Sequence, residues 1–475
     1  MDAQYNLSDQ GGFVRLRLVI MTMLIFCSGS AWAQESTSLK IDLPVEKYTL
    51  DNGLTVLLLE DHRVPMISYH TWYKVGSKDE AEGVTGSAHM LEHMMFQGAK
   101  KYSGKDLHRI MDENGISWNA FTTYDYTGFY MNLPSSKLEL IMDVEFDRMS
   151  SLNLDEKNLL SEREVVKEER RFRVDNNPQG LLWESTMSTF FKKSPYRWPV
   201  IGWMKDIEKF DIETLRKYYS QYYVPNNAVL VIAGDFKTSK VKSLIQKYYG
   251  SLPSKALPPK TDAGEAMRTA PTFARLKKDV QSISFNLSFP GVKEGDPDMY
   301  ALDLAGTILG AGSSSRLNRD LVYRKQIALS ASSGHFSLQD AGVFMASVTM
   351  KPGMNSENAL ATVEREVAKL RTTKVSADEL KKAKTILMKS YVDGLSTMDA
   401  KARALAANEI VTGSYKTMLD NLEKYEKVTE EDILRVAKKY LVRSYASLVM
   451  LEPQQAPVAA PAPTSATPAP QGGAQ

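Results

Sequence analysis

The stretch His89-Met90-Leu91-Glu92-His93 decides how this chain is interpreted, because it places two imidazoles and a carboxylate on one helical face. At roughly 100° per residue on a helix, the two histidines lie about 40° apart and Glu92 lies about 60° to their other side. Two neutral imidazoles suit Zn²⁺, and the glutamate is placed to take a proton from a water molecule at the metal. The alternative is a helix that carries two surface histidines by chance, so a third ligand is needed to decide.

Length and composition describe an ordinary globular chain. Its 475 residues, 43% hydrophobic and 24% charged, are enough for two or more packed domains. The 59 basic and 57 acidic residues give a net charge of +2. That balance favours neither nucleic acid nor an anionic membrane surface as a partner.

Residues 1–33 are predicted to be a secretory signal peptide. Arg15 and Arg17 precede an apolar run that ends at Cys27, and Ala31-Trp32-Ala33 has the form of a cleavage site. We therefore expect export, to the periplasm or beyond, with an uncleaved anchor as the alternative. No later run approaches about twenty apolar residues, so no stable membrane insertion of the mature chain is expected. Cys27 is the only cysteine, which leaves histidines and carboxylates as metal ligands.

The order of strand and helix patterns along the first half of the chain predicts an α+β fold. The predicted strands are residues 48–59, interrupted by a turn at 51–53, and residues 66–75, 119–123 and 128–133. The predicted helices carry the histidine motif or span residues 103–114, 137–149 and 155–172. Because strands and helices segregate along the chain, we expect a sheet with a helical layer.

The helix predicted at 155–172 could supply the third metal ligand. Its run from Ser161 to Glu169 contains four carboxylates, for which a solvated charged face is the alternative. Glu162 and Glu169 are seven residues apart and nearly share a face, whereas Glu168 points about 100° away from Glu169. Helix geometry therefore pairs Glu162 with Glu169.

Together these segments resemble the pitrilysin family of zinc metallopeptidases. The resemblance rests on residues 86–98 around the His-x-x-Glu-His motif, on residues 162–169, and on further landmarks in the family's order. Those landmarks are Leu50-Asp51-Asn52-Gly53-Leu54, Val75-Gly76-Ser77, Asn119-Ala120, Pro195-Tyr196, Tyr223-Val224-Pro225-Asn226-Asn227 and Gly234-Asp235. The resemblance covers roughly residues 43–452.

The resemblance implies a metal site and a reaction. His89, His93 and Glu169 are expected to bind one Zn²⁺ per chain, and Glu162 to orient a ligand or its water. Glu92 is expected to act as the general base in peptide-bond hydrolysis. The implied activity is that of a zinc metalloendopeptidase.

The family also implies a way of binding peptides. The substrate is expected to add as a strand beside Asn119, Ala120 and Phe121, which gives affinity through the backbone and loose side-chain preference. For Phe121, packing on the face of the sheet is an equally good interpretation.

The second half of the chain contains a weak internal repeat of the first. An offset of 218 residues superposes residues 210–215 on 428–433, and Tyr222 on Tyr440. We therefore expect two similar α+β domains, at 43–250 and 273–452, each a mixed or antiparallel sheet covered by helices. The Pro- and Gly-rich segment 251–272 is expected to link them, and the charge-free residues 453–475 to form a disordered Pro/Ala-rich tail.

One departure from the family lies in the second half. Single-chain members contribute an arginine and a tyrosine there, which reach the substrate carbonyl, but the aligned positions here are Val322 and Leu329. Tyr323 and Arg324 are near but out of register. We therefore expect a heterodimer, in which a companion chain supplies the arginine and tyrosine and this chain forms the metal-bearing half of a clamshell. The alternative is a noncatalytic assembly or binding subunit, which the intact metal motif disfavours.

Overall fold

The computed structural model describes residues 41–260 and 264–454, which contain two mixed sheets. The predicted signal peptide and residues 455–475 of the predicted tail 453–475 lie outside these residues, whereas Pro453, placed in the tail by the sequence, is the last residue of a strand. The first sheet contains β1 (Val45–Thr49), β2 (Thr55–Glu60), β3 (Met66–Tyr73), β4 (Ser117–Thr122), β5 (Thr127–Pro134) and β6 (Ala228–Gly234). The second contains β7 (Thr272–Lys278), β8 (Ser284–Pro290), β9 (Ala328–Ser337), β10 (Gly342–Met350) and β11 (Ser447–Pro453).

Helices cover both sheets. Those in the first half are α1 (Ser87–Met94), α2 (Gly104–Glu113), α3 (Leu138–Ser151), α4 (Glu156–Arg170), α5 (Pro178–Phe190), α6 (Met204–Ile207), α7 (Ile212–Tyr222) and α8 (Thr238–Tyr249). Those in the second half are α9 (Met299–Gly310), α10 (Glu357–Thr372), α11 (Ala377–Asp393), α12 (Met398–Thr412), α13 (Lys416–Lys427) and α14 (Glu430–Tyr440). In the part of the chain that the structure describes, every helix is too short or too polar to cross a bilayer.

The first sheet has the strand order β1-β2-β6-β3-β5-β4. β2 and β6 are parallel and the other pairs are antiparallel. The turn predicted between β1 and β2 is present, and Gly53 there has a φ of +87°, which glycine adopts without strain. β4 has one strand neighbour, β5, so its other side is an edge of the sheet.

The second sheet has the order β7-β11-β8-β10-β9, with β7 and β11 parallel and the other pairs antiparallel. α14 begins and ends 218 residues after α7, since 430 − 212 and 440 − 222 both equal 218. The repeat in the sequence is therefore a repeat of structure. The predicted α+β class with two similar units, each a sheet covered by helices, is confirmed.

The first sheet is buried on both faces. Val56 and Leu58 of β2 point into the core under α1 and α3, whereas Leu57 and Leu59 pack against α12 from the second half of the chain. Leu405 of α12 is completely buried in this second cluster. A helix from one half thus covers the back of the other half's sheet.

The helix predicted at 155–172 ends earlier than the sequence pattern indicates. α4 stops at Arg170 and continues as a wider π-helical turn over Arg171–Asp175. The Asn176 N–H donates to the Arg171 carbonyl at 2.8 Å, which closes this turn five residues back instead of four. The wider turn redirects the chain towards α5.

Candidate metal centre

The motif helix α1 is held at its start by a buried carboxylate. Glu80 accepts the backbone N–H groups of Gly86 and Ala88 at 2.7 and 2.8 Å. These are donors of the helix N-terminus, where a negative charge is stabilised. Gly86 has a φ of +91°, and a Cβ there would lie 2.5 Å from the Ile201 carbonyl oxygen, so a side chain would displace the start of the helix. The histidines are therefore carried by a fixed element.

α1 and α4 bring His89, His93 and Glu169 together. Their ligand atoms all lie within 4.8 Å of one another, and no other such trio of histidine or acidic residues occurs within residues 41–260 and 264–454. Glu169 Oε2 lies 3.2 Å from His93 Nε2 and 3.6 Å from His89 Nε2. All three residues predicted as metal ligands therefore converge on one point.

The donor set fits a catalytic zinc ion. Two imidazole nitrogens and one carboxylate oxygen are the three-ligand pattern that leaves a fourth position for water or substrate. The Nδ1 atom of His89 is buried and makes no hydrogen bond to the described residues. The other ring nitrogen of His89, Nε2, lies 3.6 Å from Glu169 Oε2, so it is placed to donate a lone pair to a metal ion bound by both residues.

Glu162 supports His93 from the side opposite the metal ligands. Its Oε2 atom lies 3.1 Å from His93 Nδ1, and its Oε1 atom accepts a hydrogen bond of 2.8 Å from Gln97 Nε2. This contact directs His93 Nε2 towards Glu169. The structure therefore places Glu162 where a residue that orients a metal-binding histidine must stand.

Glu92 lies beside the three ligands and is itself positioned. The Thr122 hydroxyl, at the end of β4, donates a 2.5 Å hydrogen bond to Glu92 Oε2. Only 9% of Glu92 is exposed. The free oxygen of this carboxylate can accept and return a proton at the centre.

Burial and charge set the protonation of the centre. Burial lowers the pKa of His89 to about 3, which keeps its ring neutral. Burial also lowers the pKa of His93, but hydrogen bonds to its two glutamate neighbours outweigh this and raise the pKa to about 9. Burial raises the pKa of Glu92, against the Thr122 hydrogen bond. Burial also acts to raise the pKa of Glu169, but the contacts with both histidines outweigh burial and lower this pKa.

A cavity of about 600 Å³ opens over the centre. Asn119, Ala120 and Phe121 of the edge strand β4 line it, so all three predicted substrate contacts face the same space as the metal ligands. Phe121 also packs edge-on against Trp72 of the sheet at 5.0 Å, as its packing interpretation predicts. Trp183 and Val200 add apolar surface to the lining.

Several site residues were not predicted from the sequence. Thr122 and Gln97 belong to segments that were singled out, but their hydrogen bonds depend on how β4 and α4 approach α1. Arg173 lies four residues after Glu169, and its Nε atom is 3.0 Å from Glu169 Oε1. That spacing is a recognised ion-pair signal on a helix and could have revealed the contact.

The four residues considered in the second half stand apart from the centre. None of Val322, Tyr323, Arg324 and Leu329 lines the cavity. Tyr323 and Leu329 are 58% and 55% exposed, and Arg324 lies 3.4 Å from Asp320. Within the described residues, this chain brings no arginine or tyrosine from its second half to the metal ligands.

Comparison with known proteins places the sequence among peptidases. Residues 55–202 match the family profile described as "Insulinase (Peptidase family M16)", and residues 209–387 match "Peptidase M16 inactive domain". The chain is 32% identical to "Zinc protease PqqE" of Helicobacter pylori, over 86% of this chain and 93% of that protein. It is 27% identical to "Uncharacterized zinc protease YmxG" of Bacillus subtilis, over 86% of this chain and 98% of that protein.

Solved structures agree with this comparison. A protease from Helicobacter pylori superposes with a TM-score of 0.82 at 31% identity, covering 86% of this chain and all of that one. A Pseudomonas fluorescens protein described as a peptidase M16 inactive domain superposes with a TM-score of 0.80 at 20% identity, over 87% of this chain and 99% of that one. The second likeness concerns the fold alone.

Proposed function

This chain belongs to peptidase family M16, the insulinase family, and from that premise we propose that it is a zinc-dependent endopeptidase whose general base is Glu92. One observation carries the proposal. His89, His93 and Glu169 present their ligand atoms to a common point, beside a buried carboxylate and inside an open cavity. Burying these polar groups side by side costs free energy, and coordination of a metal ion would offset that cost.

The chain's own residues supply positioning and proton transfer. A bound zinc ion would polarise the peptide carbonyl and lower the pKa of an attacking water molecule. Glu92 takes the proton of that water and later delivers it to the leaving amine. The Thr122 hydrogen bond keeps the carboxylate in place while the proton moves. Glu162 holds the ring of His93 in the orientation that binding requires.

The proposed substrates are peptides bound in extended form. The free edge of β4 can pair with a peptide backbone, and Asn119 and Ala120 of this strand face the cavity. Backbone pairing places a peptide bond next to Glu92, because Thr122 of the same strand contacts that carboxylate.

We further propose that the chain is exported and acts as the catalytic subunit of a heterodimer. Support for a companion comes from Val322 and Leu329, which cannot donate the hydrogen bonds expected at these positions and lie outside the cavity. A companion chain with an arginine and a tyrosine would complete the stabilisation of the developing oxyanion.

A noncatalytic binding subunit is the second candidate. It is favoured by the match of residues 209–387 to a domain described as inactive. Against it, the metal ligands and Glu92 are all present and assembled. Loss of such residues is what a noncatalytic role permits.

Metal analysis and a matched pair of variants distinguish the two. We expect about one zinc per chain, lost in His89→Ala and retained in Glu92→Gln, with peptide cleavage abolished in both. Cleavage that appears only when the companion is added would support the heterodimer, whereas full activity of the isolated chain would contradict it. A metal-free wild-type chain that still binds a partner would favour the noncatalytic role.

A further inference from the structure

Arg173 lies beside the predicted metal ligand Glu169 but has no role in the proposed reaction. It stands in the π-helical turn Arg171–Asp175 that follows α4. The carbonyl oxygen of Arg173 lies so close to α5 that a Cβ on Gly180 would approach it to 2.0 Å. Only a glycine at position 180 allows the turn and α5 to approach this closely, and this packing places Arg173 at the cavity.

Glu169 divides its two oxygens between the metal ligands and Arg173. Its Oε2 atom faces His89 and His93, whereas its Oε1 atom lies 3.0 Å from Arg173 Nε. The ion pair therefore uses the oxygen that the histidines leave free. It fixes the guanidinium beside the metal site without competing for the ligand atom.

Most of the guanidinium group remains available. The Arg173 side chain is 68% exposed and lines the cavity. The shortest contact with Glu169 is made by Nε, and neither terminal nitrogen makes a hydrogen bond to another residue of 41–260 and 264–454. A guanidinium group carries five N–H donors in a fixed plane, so four of them can still bind oxygen atoms.

No other arginine or lysine lines this cavity within the described residues. The nearby Arg170 is buried, and its guanidinium makes hydrogen bonds of 2.8 and 3.1 Å to Glu184. Arg171 pairs with Glu168 and lines a different surface cleft. Arg173 is thus the one strong cationic donor that this part of the chain offers to a molecule in the metal cavity.

We infer that Arg173 is a substrate-binding residue, whose terminal nitrogens donate hydrogen bonds to a backbone carbonyl oxygen of the bound peptide while Nε stays on Glu169. The inference rests on the proposed function, because it concerns the peptide that would pair with the edge of β4. Carbonyl oxygens of an extended peptide have no donors on the side facing away from the sheet, and a planar donor group at the cavity wall supplies them.

Binding measurements on an inactivated chain test this inference. The probe is an acetylated and amidated fluorescent peptide, selected because the wild-type chain, alone or with its companion, cleaves it; the blocked ends remove terminal charges. In zinc-loaded Glu92→Gln protein, adding Arg173→Gln should weaken peptide binding by about tenfold or more. Zinc content should remain at the level of Glu92→Gln alone, and Arg173→Lys should restore part of the affinity.

Arg171→Gln is the matched control, because it changes the same residue type in the same turn but outside the cavity. We expect its peptide affinity to stay within about twofold of the parent. Unchanged affinity in the Arg173→Gln protein would overturn the inference while leaving the peptidase proposal intact. Loss of zinc in parallel with affinity would also overturn it, because Arg173 would then act only by holding Glu169. If no peptide is cleaved or bound by the wild-type chain with its companion, the proposed function fails, and this inference with it.

Discussion

Thr122 donates a 2.5 Å hydrogen bond to Glu92, and this contact joins the strand that lines the cavity to the residue that is placed to move the proton. Thr122 ends β4, and Glu92 lies on α1, so two elements far apart in sequence meet at one carboxylate. Asn119, Ala120 and Phe121 of the same strand line the cavity. A peptide that pairs with β4 is therefore held in register with Glu92.

Removing the Thr122 hydroxyl should slow catalysis without removing the metal. We expect Thr122→Val to lower kcat by about tenfold, because Glu92 loses the hydrogen bond that fixes one of its oxygens. Thr122→Ser keeps a hydroxyl and should retain most of the rate. Steady-state kinetics with zinc analysis of each variant would check this. Equal rates for the valine and serine variants would show that the hydrogen bond does not matter.

Glu162 should control the affinity for zinc. Glu162→Gln weakens the contact with His93 Nδ1, so we expect zinc to bind about 10- to 100-fold more weakly, as measured by competition with a chelator. Glu164→Gln is the control, since Glu164 is exposed, lies one half-turn away and pairs with Lys167. A similar loss of affinity in both variants would point to a general effect of charge.

Local sequence patterns predicted the elements that carry the site. The spacing of His89, Glu92 and His93 requires a helix, and α1 supplies it. Seven-residue spacing pairs Glu162 with Glu169, and both contact His93. These relations depend on the geometry of one helix at a time, which is why they can be derived without knowing the fold. The choice of Glu169 as the third ligand needed the resemblance to a family.

Relations that depend on tertiary packing could not be derived in this way. The carboxylate of Glu80 caps α1 across a loop, and no spacing rule connects such a residue to the helix. α4 ends at Arg170 without a glycine or proline at the boundary, and the turn that follows packs closely against α5. The packing of α12 on the back of the first sheet is indicated only weakly in the sequence, by the unbroken apolar run from Val56 to Leu59. Such a run is typical of a strand buried on both faces.

A buried polar network should stabilise the contact between the two halves. Lys78 lies 3.1 Å from Asp125 and 2.6 Å from Asp340, which stands in the turn between β9 and β10. Lys78 and Asp125 are 8% and 5% exposed. Lys78→Met would leave Asp125 buried without its cation, and we expect it to lower the free energy of unfolding by about 3 kcal/mol.

Urea denaturation would measure this loss, with Lys242→Met as the control. Lys242 pairs with Glu46 at the surface, where both side chains are more than 40% exposed. Exposed pairs contribute less than about 1 kcal/mol. A Lys78 variant as stable as the Lys242 variant would show that the network contributes nothing to stability.

Asp298 should make stability depend on pH in the acidic range. Burial raises the pKa of Asp298, but hydrogen bonds from Arg435, Lys439 and Tyr440 outweigh it and lower the pKa to about 2. The folded pKa lies below the unfolded value of about 3.9, so this group stabilises the fold fully above about pH 4. That contribution, up to about 2 kcal/mol, is lost as the pH falls towards 2.

Unfolding experiments from pH 7 to pH 2 would test this prediction. Asp298→Asn should be less stable than the wild type at pH 7 by roughly this amount, and the difference should shrink as the pH approaches 2. Asp112→Asn changes an exposed aspartate of α2 and should follow the wild type throughout. A constant difference between Asp298→Asn and the wild type would mean that the carboxylate's charge is not involved.

The first half of the chain should not fold independently, although the sequence predicts a separate domain there. Leu57, Leu59, Val229 and Val231 are fully or almost fully buried under α12, and a chain that ends at residue 255 would expose them. At about 1.5–3 kcal/mol per side chain, exposing all four removes about 6–12 kcal/mol, which is comparable to the whole stability of a typical domain. We expect the fragment to aggregate or to bind a hydrophobic dye. A chain that ends at residue 454 keeps α12 and should melt at the temperature of the full-length protein; a well-folded, dye-free fragment ending at 255 would instead show that the half is autonomous.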